Sequence, residues 1–504
     1  MNYKMRNITH LIYPLLIIAF LVATSSAQHR GDNLAFQGLA FPNESGVKAL
    51  AMGGAYTSIS GDINSIFHNP AGLADIPSVQ FSISANKYKK QWRENQVYRT
   101  NRFFLNLPFY LEGLYVPNPA NNGQWDYDIF NRERDSTYVV QLPDLGHPPF
   151  SKEAADWKEN ANNFLFDQVA LAVPFKIGGR QLVVSAAYNR KYDVLDFDRN
   201  DTYLDPHIGY DEYGVAERVA NDTLHMNWYK FMRRRTGHLR AFTLAAGYNF
   251  SKHIKLGLGM NYFAGQTEDA QYLDKVGWFD LVRNNRFRFS YDVFYSHTSG
   301  TSKFKATQFN VGTLLKFDHF SMGLDVALPH TLQRTWSYST IRIDSIIVQS
   351  IAPSGEDEMQ VPPTYSLGLS FNPIKPFIIS FDFESTPYSQ AKFQLASNDS
   401  THRNWVDQNT VRFGVEYRPM EWLSLLAGYR NLPAIFVPDG AAFKDRGPAA
   451  ESYTMGLSLN TGIGRFDIAY EIRILKYYDS YYSNTNYAFE SFNNLLVGYT
   501  VNLQ

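Results

Sequence analysis

The sequence predicts an all-β protein: a transmembrane antiparallel β-barrel of about fourteen strands with an N-terminal plug in its lumen. Three observations predict it. From about Ser78 onward, apolar and polar residues alternate with period two. Short and long connections alternate strictly between these segments. Beyond the N-terminal region, no stretch approaches the ~20 apolar residues of a membrane helix.

The alternation is regular where it is strongest. Val411, Phe413, Val415 and Tyr417 face away from Arg412, Gly414, Glu416 and Arg418. Tyr453, Met455, Leu457 and Leu459 oppose Ser452, Thr454, Gly456 and Ser458. Phe466, Ile468, Tyr470, Ile472 and Ile474 oppose Asp467, Ala469, Glu471 and Arg473. A soluble sandwich also alternates, so the composition of the polar face decides. That face carries Gly, Ser, Thr, Asn and charged residues, as a wet lumen behind a lipid-facing wall would.

The strands fall near 78–87, 166–175, 181–192, 237–250, 254–265, 303–316, 320–328, 363–372, 376–384, 410–419, 421–430, 451–460, 464–475 and 493–503. Tight links lie at Gly178-Gly179, Ser251-Lys252, Asp318-His319, Pro373-Ile374, Pro419-Met420 and Thr461-Gly462. Long links cover roughly 88–165, 193–236, 266–302, 329–362, 385–409, 431–450 and 476–492. Short periplasmic turns against long outer loops are the plan of outer-membrane barrels. Segments 286–297 and 335–350 read as strand extensions above the membrane, and another even strand total stays open.

Residues 1–27 read as a signal peptide. Lys4 and Arg6 precede an apolar run from Leu11 to Ala23, and Ser25-Ser26-Ala27 is a small-residue cleavage site before Gln28. An uncleaved anchor is the alternative, but the run is short and holds Pro14. Export and the barrel pattern together imply the bacterial outer membrane and the barrel-assembly machinery as a partner. Net charge is −1, so nothing attracts nucleic acid globally. Cysteine is absent, which removes disulfides, a lipid-anchor thiol and cysteine-based sites. Aromatic residues make up 15%, as interface girdles require.

Residues 28–77 do not alternate and are rich in glycine, including Gly46, Gly53, Gly54, Gly61 and Gly72. They read as short irregular pieces with tight turns, placed inside the barrel 78–504 as a plug. Here the sequence resembles the long-chain fatty acid transporter (FadL-like) outer-membrane family. The resemblance rests on Gly46 to Thr57, on Gly61-Asp62 and on Phe67 to Leu73, with Asn69-Pro70-Ala71 matching the family's hatch motif. It extends to Arg412–Tyr417 and Trp422–Arg430. It implies a fourteen-stranded barrel, a hatch gated around Gly53, Gly54, Asn69, Pro70, Ala71 and Gly72, and a hydrophobic ligand. The same hatch pattern occurs in relatives associated with protein secretion.

Several other features carry chemistry or packing. Asp325, Asp382, Glu384, Arg412, Glu416, Asp467, Glu471 and Arg473 fall on the lumen side, as a polar route or as internal salt bridges. The run Asp193, Asp196, Asp198, Asn200, Asp201, Asp205 superficially resembles a calcium loop, but lacks its glycine and final glutamate. It reads better as a solvated acidic loop, and no metal site is expected. Lys230, Arg233, Arg234 and Arg235 form a basic run that could meet outer-leaflet lipid or lipopolysaccharide. Loop aromatics from Trp125 to Phe164 and from Tyr203 to Phe231, with Trp278 and Phe279, could gather around an apolar ligand. Motifs of zinc hydrolases, serine hydrolases and phosphate loops are absent, so no catalytic residue and no cofactor are expected. Two functions stay open: passive uptake of hydrophobic small molecules such as long-chain fatty acids, or a docking barrel for secreted proteins.

Overall fold

The computed structural model describes residues 34–98, 147–208, 223–282, 286–344, 347–396, 405–438, 441–480 and 484–503. The expected signal peptide lies outside them. Among the described residues no helix is long and apolar enough to cross a membrane.

The strands are, in chain order, β1 (Val79–Tyr98), β2 (Trp157–Ile177), β3 (Arg180–Asp193), β4 (Asp196–Ile208), β5 (Thr223–Asn249), β6 (Ile254–Val282) and β7 (Arg286–Lys316). Then come β8 (Phe320–Ala327), β9 (His330–Asp344), β10 (Ile347–Ile351), β11 (Ser354–Val361), β12 (Thr364–Phe371), β13 (Phe377–Thr386) and β14 (Lys392–Gln394). The last are β15 (Gln408–Met420), β16 (Leu423–Pro433), β17 (Ala449–Thr461), β18 (Gly464–Ser480) and β19 (Asn484–Leu503).

Fourteen strands close an antiparallel ring. It runs β1, β2, β3, β5, β6, β7, β8, β12, β13, β15, β16, β17, β18, β19 and back to β1. The first strand pairs with the last, from Val79 opposite Leu503 to Tyr98 opposite Asn484. Closure pairs the backbone groups that an open sheet edge would leave bare in lipid. The tight turns expected from the sequence separate β2 from β3, β5 from β6, β7 from β8, β12 from β13, β15 from β16 and β17 from β18.

The alternation has the expected sense. Leu258 and Met455 are 63% and 60% exposed on the outward face. Ser185, Thr243, Ser380 and Ser452 on the inward face are buried. What the sequence misses is strand length. The expected loop 266–302 is largely a ribbon, because β6 runs to Val282 and β7 starts at Arg286. Likewise 193–236 holds β4 and the first half of β5, and 329–362 holds β9, β10 and β11. Beyond the membrane neither sheet face has to be apolar, so the alternation fades while strand pairing continues.

Residues 34–76 fold without strands. Helix α1 spans Val47–Ala51, and two 3-10 turns span Ile63–Phe67 and Pro70–Asp75. Gly53 and Gly54, at φ +65° and +77°, end α1 in the left-handed region that side chains disfavour. The Asp62 side chain accepts from the Asn64 N–H at 2.8 Å and so starts the first turn. Asn69 accepts from the Ala71 N–H at 3.0 Å, with Pro70 in the first position, and starts the second.

Candidate functional site

Most of residues 47–74 are buried against the inward face of the barrel. The wall answers them with glycine: Gly247, Gly257, Gly312, Gly323, Gly368, Gly414, Gly428, Gly456 and Gly498 each abut this segment. At Gly257 a Cβ would collide with the backbone of Pro70 and Ala71. Only a residue without a side chain lets the two backbones meet there. Asn69 is fully buried and donates to the carbonyls of Thr57 and Thr313 at 2.9 and 3.1 Å. Pro70, Ala71 and Gly72 are buried with it, while Gly53 packs on the backbone of Tyr429 and Phe413.

Charges tie the segment to the wall. Lys48 meets Glu416 at 3.0 Å, and Arg465 spans Asp62 at 2.7 Å and Asp467 at 2.9 Å. Asp382 accepts from the N–H groups of Tyr56 and Thr57, both at 2.8 Å. Arg430 holds Glu44 at 2.6 Å and also Glu471. Arg412 bonds Glu384 at 2.9 Å and stands 3.9 Å from Glu44. Of the lumen-side candidates, Asp382, Arg412, Glu416, Asp467 and Glu471 thus serve these ties. Asp325, bound by Asn310 at 2.9 Å, and Arg473, over the rings of Phe41 and Phe492, stand in cavity walls instead.

Burial pushes the Glu44 carboxyl up, but His68, Arg430 and Arg412 together outweigh it and hold its pKa at about 2. Burial lowers the His68 pKa, against the opposing pull of Glu44 beside it. A depressed carboxylate contributes stability that is complete above its ordinary value of 4.5 and lost as pH falls toward 2. The melting temperature of the wild-type barrel is therefore expected to fall between pH 4.5 and 2 more steeply than that of Glu44→Gln. Parallel curves for the two proteins would show that Glu44 is not so held.

Above this floor, residues 34–43 cross the lumen. Ala35, Phe36 and Leu39 pack with Leu239, Phe263, Phe304, Leu332 and Met359. Arg235 fixes the strap by donating to the carbonyls of Ala35 and Gln37 at 2.9 and 3.1 Å while pairing with Asp269. Two of the cavities beside the strap join apolar and charged walls. One, of about 170 Å³, has an apolar side with Leu239, Phe263, Met359 and Trp405, and a polar side with Glu44, His68, Asp325 and Arg412. The other, of about 280 Å³, is walled by aromatic rings including Trp92, Trp157, Phe197, Phe489 and Phe492, with Lys90, Arg93 and Arg473 among them. Beside it the wall is interrupted: β2 and β3 pair only as far as Gln168 opposite Asn189. Farther out, β2 pairs with β1, and β4 with β5. Trp157 and Phe197 bridge the two edges with ring centroids 5.2 Å apart.

Several sequence readings change here. The acidic run is no open loop: Asp193 binds Arg190, and Asp196 and Asp198 meet Arg233. The basic run divides by face: Arg235 is fully buried on Asp269 and Arg233 pairs with Asp196, while Lys230 and Arg234 are exposed. Among the expected aromatics, Trp157 reaches a cavity, Tyr229 and Phe231 pack with Leu273 and Phe294, and Phe164 is 72% exposed. Trp125, Tyr127, Phe130, Tyr210 and Tyr213 lie outside the described residues. The sequence reading missed Trp92, Phe197 and Phe492, whose signal was an aromatic residue where the alternation demands a polar one. It placed Gly414 and Gly456 on the inward phase, but not their packing against Met52 and Ala51 of the N-terminal segment.

These features define a class: a closed fourteen-stranded outer-membrane barrel with an apolar outer wall and a packed lumen. No sequence-family profile and no curated protein matches the chain. The fold is that of FadL-like outer-membrane barrels. It is similar to a Pseudomonas aeruginosa FadL homologue, with TM-score 0.59 and 13% identity over 93% of this chain and 100% of that one. It is also similar to the toluene transporter TodX of Pseudomonas putida, with TM-score 0.54 and 11% identity over 91% of this chain and 98% of that one. A third neighbour is the toluene transporter TbuX of Ralstonia pickettii, with TM-score 0.52 and 11% identity over 93% of this chain and 100% of that one. Identity this low establishes a shared fold and no more.

Proposed function

We propose that this protein is an outer-membrane channel for passive uptake of hydrophobic small molecules such as long-chain fatty acids. The observation that carries this reading is the pair of cavities beside the 34–43 strap, each joining apolar or aromatic walls to charged groups. Burying an alkyl chain there gains about 0.8 kcal/mol per CH₂. The interrupted wall between β2 and β4 gives the aromatic cavity an approach from the side as well as from above. In this reading residues 28–77 are the hatch, freed from the signal peptide by cleavage after Ala27. The hatch seals the periplasmic half of the lumen, with Asn69 to Gly72 and Gly53-Gly54 as the parts that move. Neighbours described as FadL homologues and toluene transporters support a hydrophobic cargo. A second reading, a docking barrel for secreted proteins, draws on the β4, β9, β10, β11 and β14 extensions beyond the ring.

The test is uptake of labelled oleate and labelled toluene by cells with and without the gene, and with Trp92→Ala, Phe492→Ala. Reduced uptake of either compound in both altered strains is expected. Unchanged uptake of both compounds, together with loss of a surface-exported protein, would overturn transport in favour of docking.

A further inference from the structure

The outward face of β5, β6 and β7 carries a charge pattern that the lumen does not use. Strand register fixes which outward side chains are neighbours. Leu244, Met260 and Phe309 form one cross-strand row, and Phe242 with Tyr262 begins the next. The row immediately above is Arg240, Ala264 and Lys305, and Lys303 stands beyond it next to Gln266. An apolar wall ending in an aromatic pair therefore changes to cations within one cross-strand row, two residues along each strand.

The height of this change is informative. Ala264 lies ten residues from the turn end of β6 at Ile254. At ~3.3 Å per residue and a tilt of ~40°, that is about 25 Å along the barrel axis, the height of the apolar band. The cations therefore stand where outer-leaflet headgroups begin. Lys303 and Lys305 are exposed and have no ion pair or hydrogen bond among the described residues. Arg240 spends one N–H on the Phe166 carbonyl at 3.2 Å and keeps its other donors. Ala264, small and exposed, leaves a gap of two strand spacings, about 10 Å, between Arg240 and Lys305. The nearest outward carboxylates are Glu268, one row beyond Lys303 on β6, and Glu356 and Glu358, which stand across β9 from Lys303 and Lys305 without an ion pair to either. In the outward row Val411, Asn431 and Glu451 of β15, β16 and β17 there is no cation, so the charge is local.

We propose that Arg240, Lys303 and Lys305 dock the phosphorylated glucosamine headgroup of lipid A, the anionic glycolipid of the outer leaflet. The guanidinium and the ammonium of Lys305 flank a phosphate over Ala264, and the acyl chains lie down the wall along Met260 and Phe309. Two arguments select this occupant. The patch continues a lipid-facing wall without a break, and its positive charge complements a phosphate held at that depth.

Native mass spectrometry of the full-length protein in detergent, with added bisphosphorylated lipid A, tests this. Arg240→Gln, Lys303→Gln, Lys305→Gln is expected to lower bound lipid about tenfold. Lys303→Arg, Lys305→Arg should bind as wild type does, and dephosphorylated lipid A should bind wild type as weakly as the triple variant binds lipid A. Lys87→Gln, Lys89→Gln removes an outward pair on β1 that has no cation across the strand, and should change nothing. Heat-modifiable migration on gels checks that each variant is folded. Equal binding by wild type and the triple variant would overturn the proposal. So would an equal loss in the β1 variant, or displacement of lipid by inorganic phosphate at matched concentration. Uptake of oleate and toluene is read separately and should not follow the triple variant, which leaves the lumen intact.

Discussion

Gly257→Val is expected to open the barrel to ions. A side chain at Gly257 meets the backbone of Pro70 and Ala71, not a flexible side chain that could swing aside. Overpacking of this kind costs about 1–3 kcal/mol even where side chains can adjust, and here one of two backbones must move. The barrel strand is held by pairing on both sides, Gly247 on one and Gly312 on the other. The N-terminal segment is the part that yields. Once Asn69 shifts, its bonds to Thr57 and Thr313 go, at about 1 kcal/mol each. Planar-bilayer recordings should then show conductance in the variant and near silence in wild type, with Gly257→Ala between them. Gly462→Val is the control, because nothing lies within 4 Å of that position. A folded Gly257→Val barrel as silent as wild type would show that this contact does not hold the segment.

Arg430→Met is expected to cost about 3–5 kcal/mol of stability, the range for breaking a buried ion pair by removing one partner. Arg430 is 1% exposed and joins Glu44 of the segment to Glu471 of β18. Methionine fills much of the space but leaves two buried carboxylates with reduced compensation. Urea unfolding from lipid vesicles measures the loss, and the double variant Arg430→Met, Glu471→Leu should recover part of it. A loss below about 1 kcal/mol would mean that water reaches these groups as it does surface pairs.

The sequence by itself determined the barrel. Period two and a polar minority face follow from placing each strand between lipid and lumen, and that requirement acts on every residue separately. The tight turns were legible for the same reason, since Gly178-Gly179 or Asp318-His319 break the pattern locally. The residues of the buried segment were legible as an irregular glycine-rich stretch, and Asn69-Pro70 as a turn start, because capping is also local.

Tertiary structure alone decided the rest. That Arg430 reaches Glu44, or that Gly257 receives Ala71, depends on contacts between residues far apart in the chain, which no local pattern records. The reach of β6 and β7 beyond the membrane was hidden because a ribbon in water needs pairing but no apolar face. The fate of Arg235 was hidden because its partner Asp269 lies on the next strand, and only register brings them together. Register also separates the buried Arg235 from the outward Arg240, two arginines that composition cannot tell apart. Local chemistry sets which face a strand shows to lipid, and the closing of the ring sets which residues then meet.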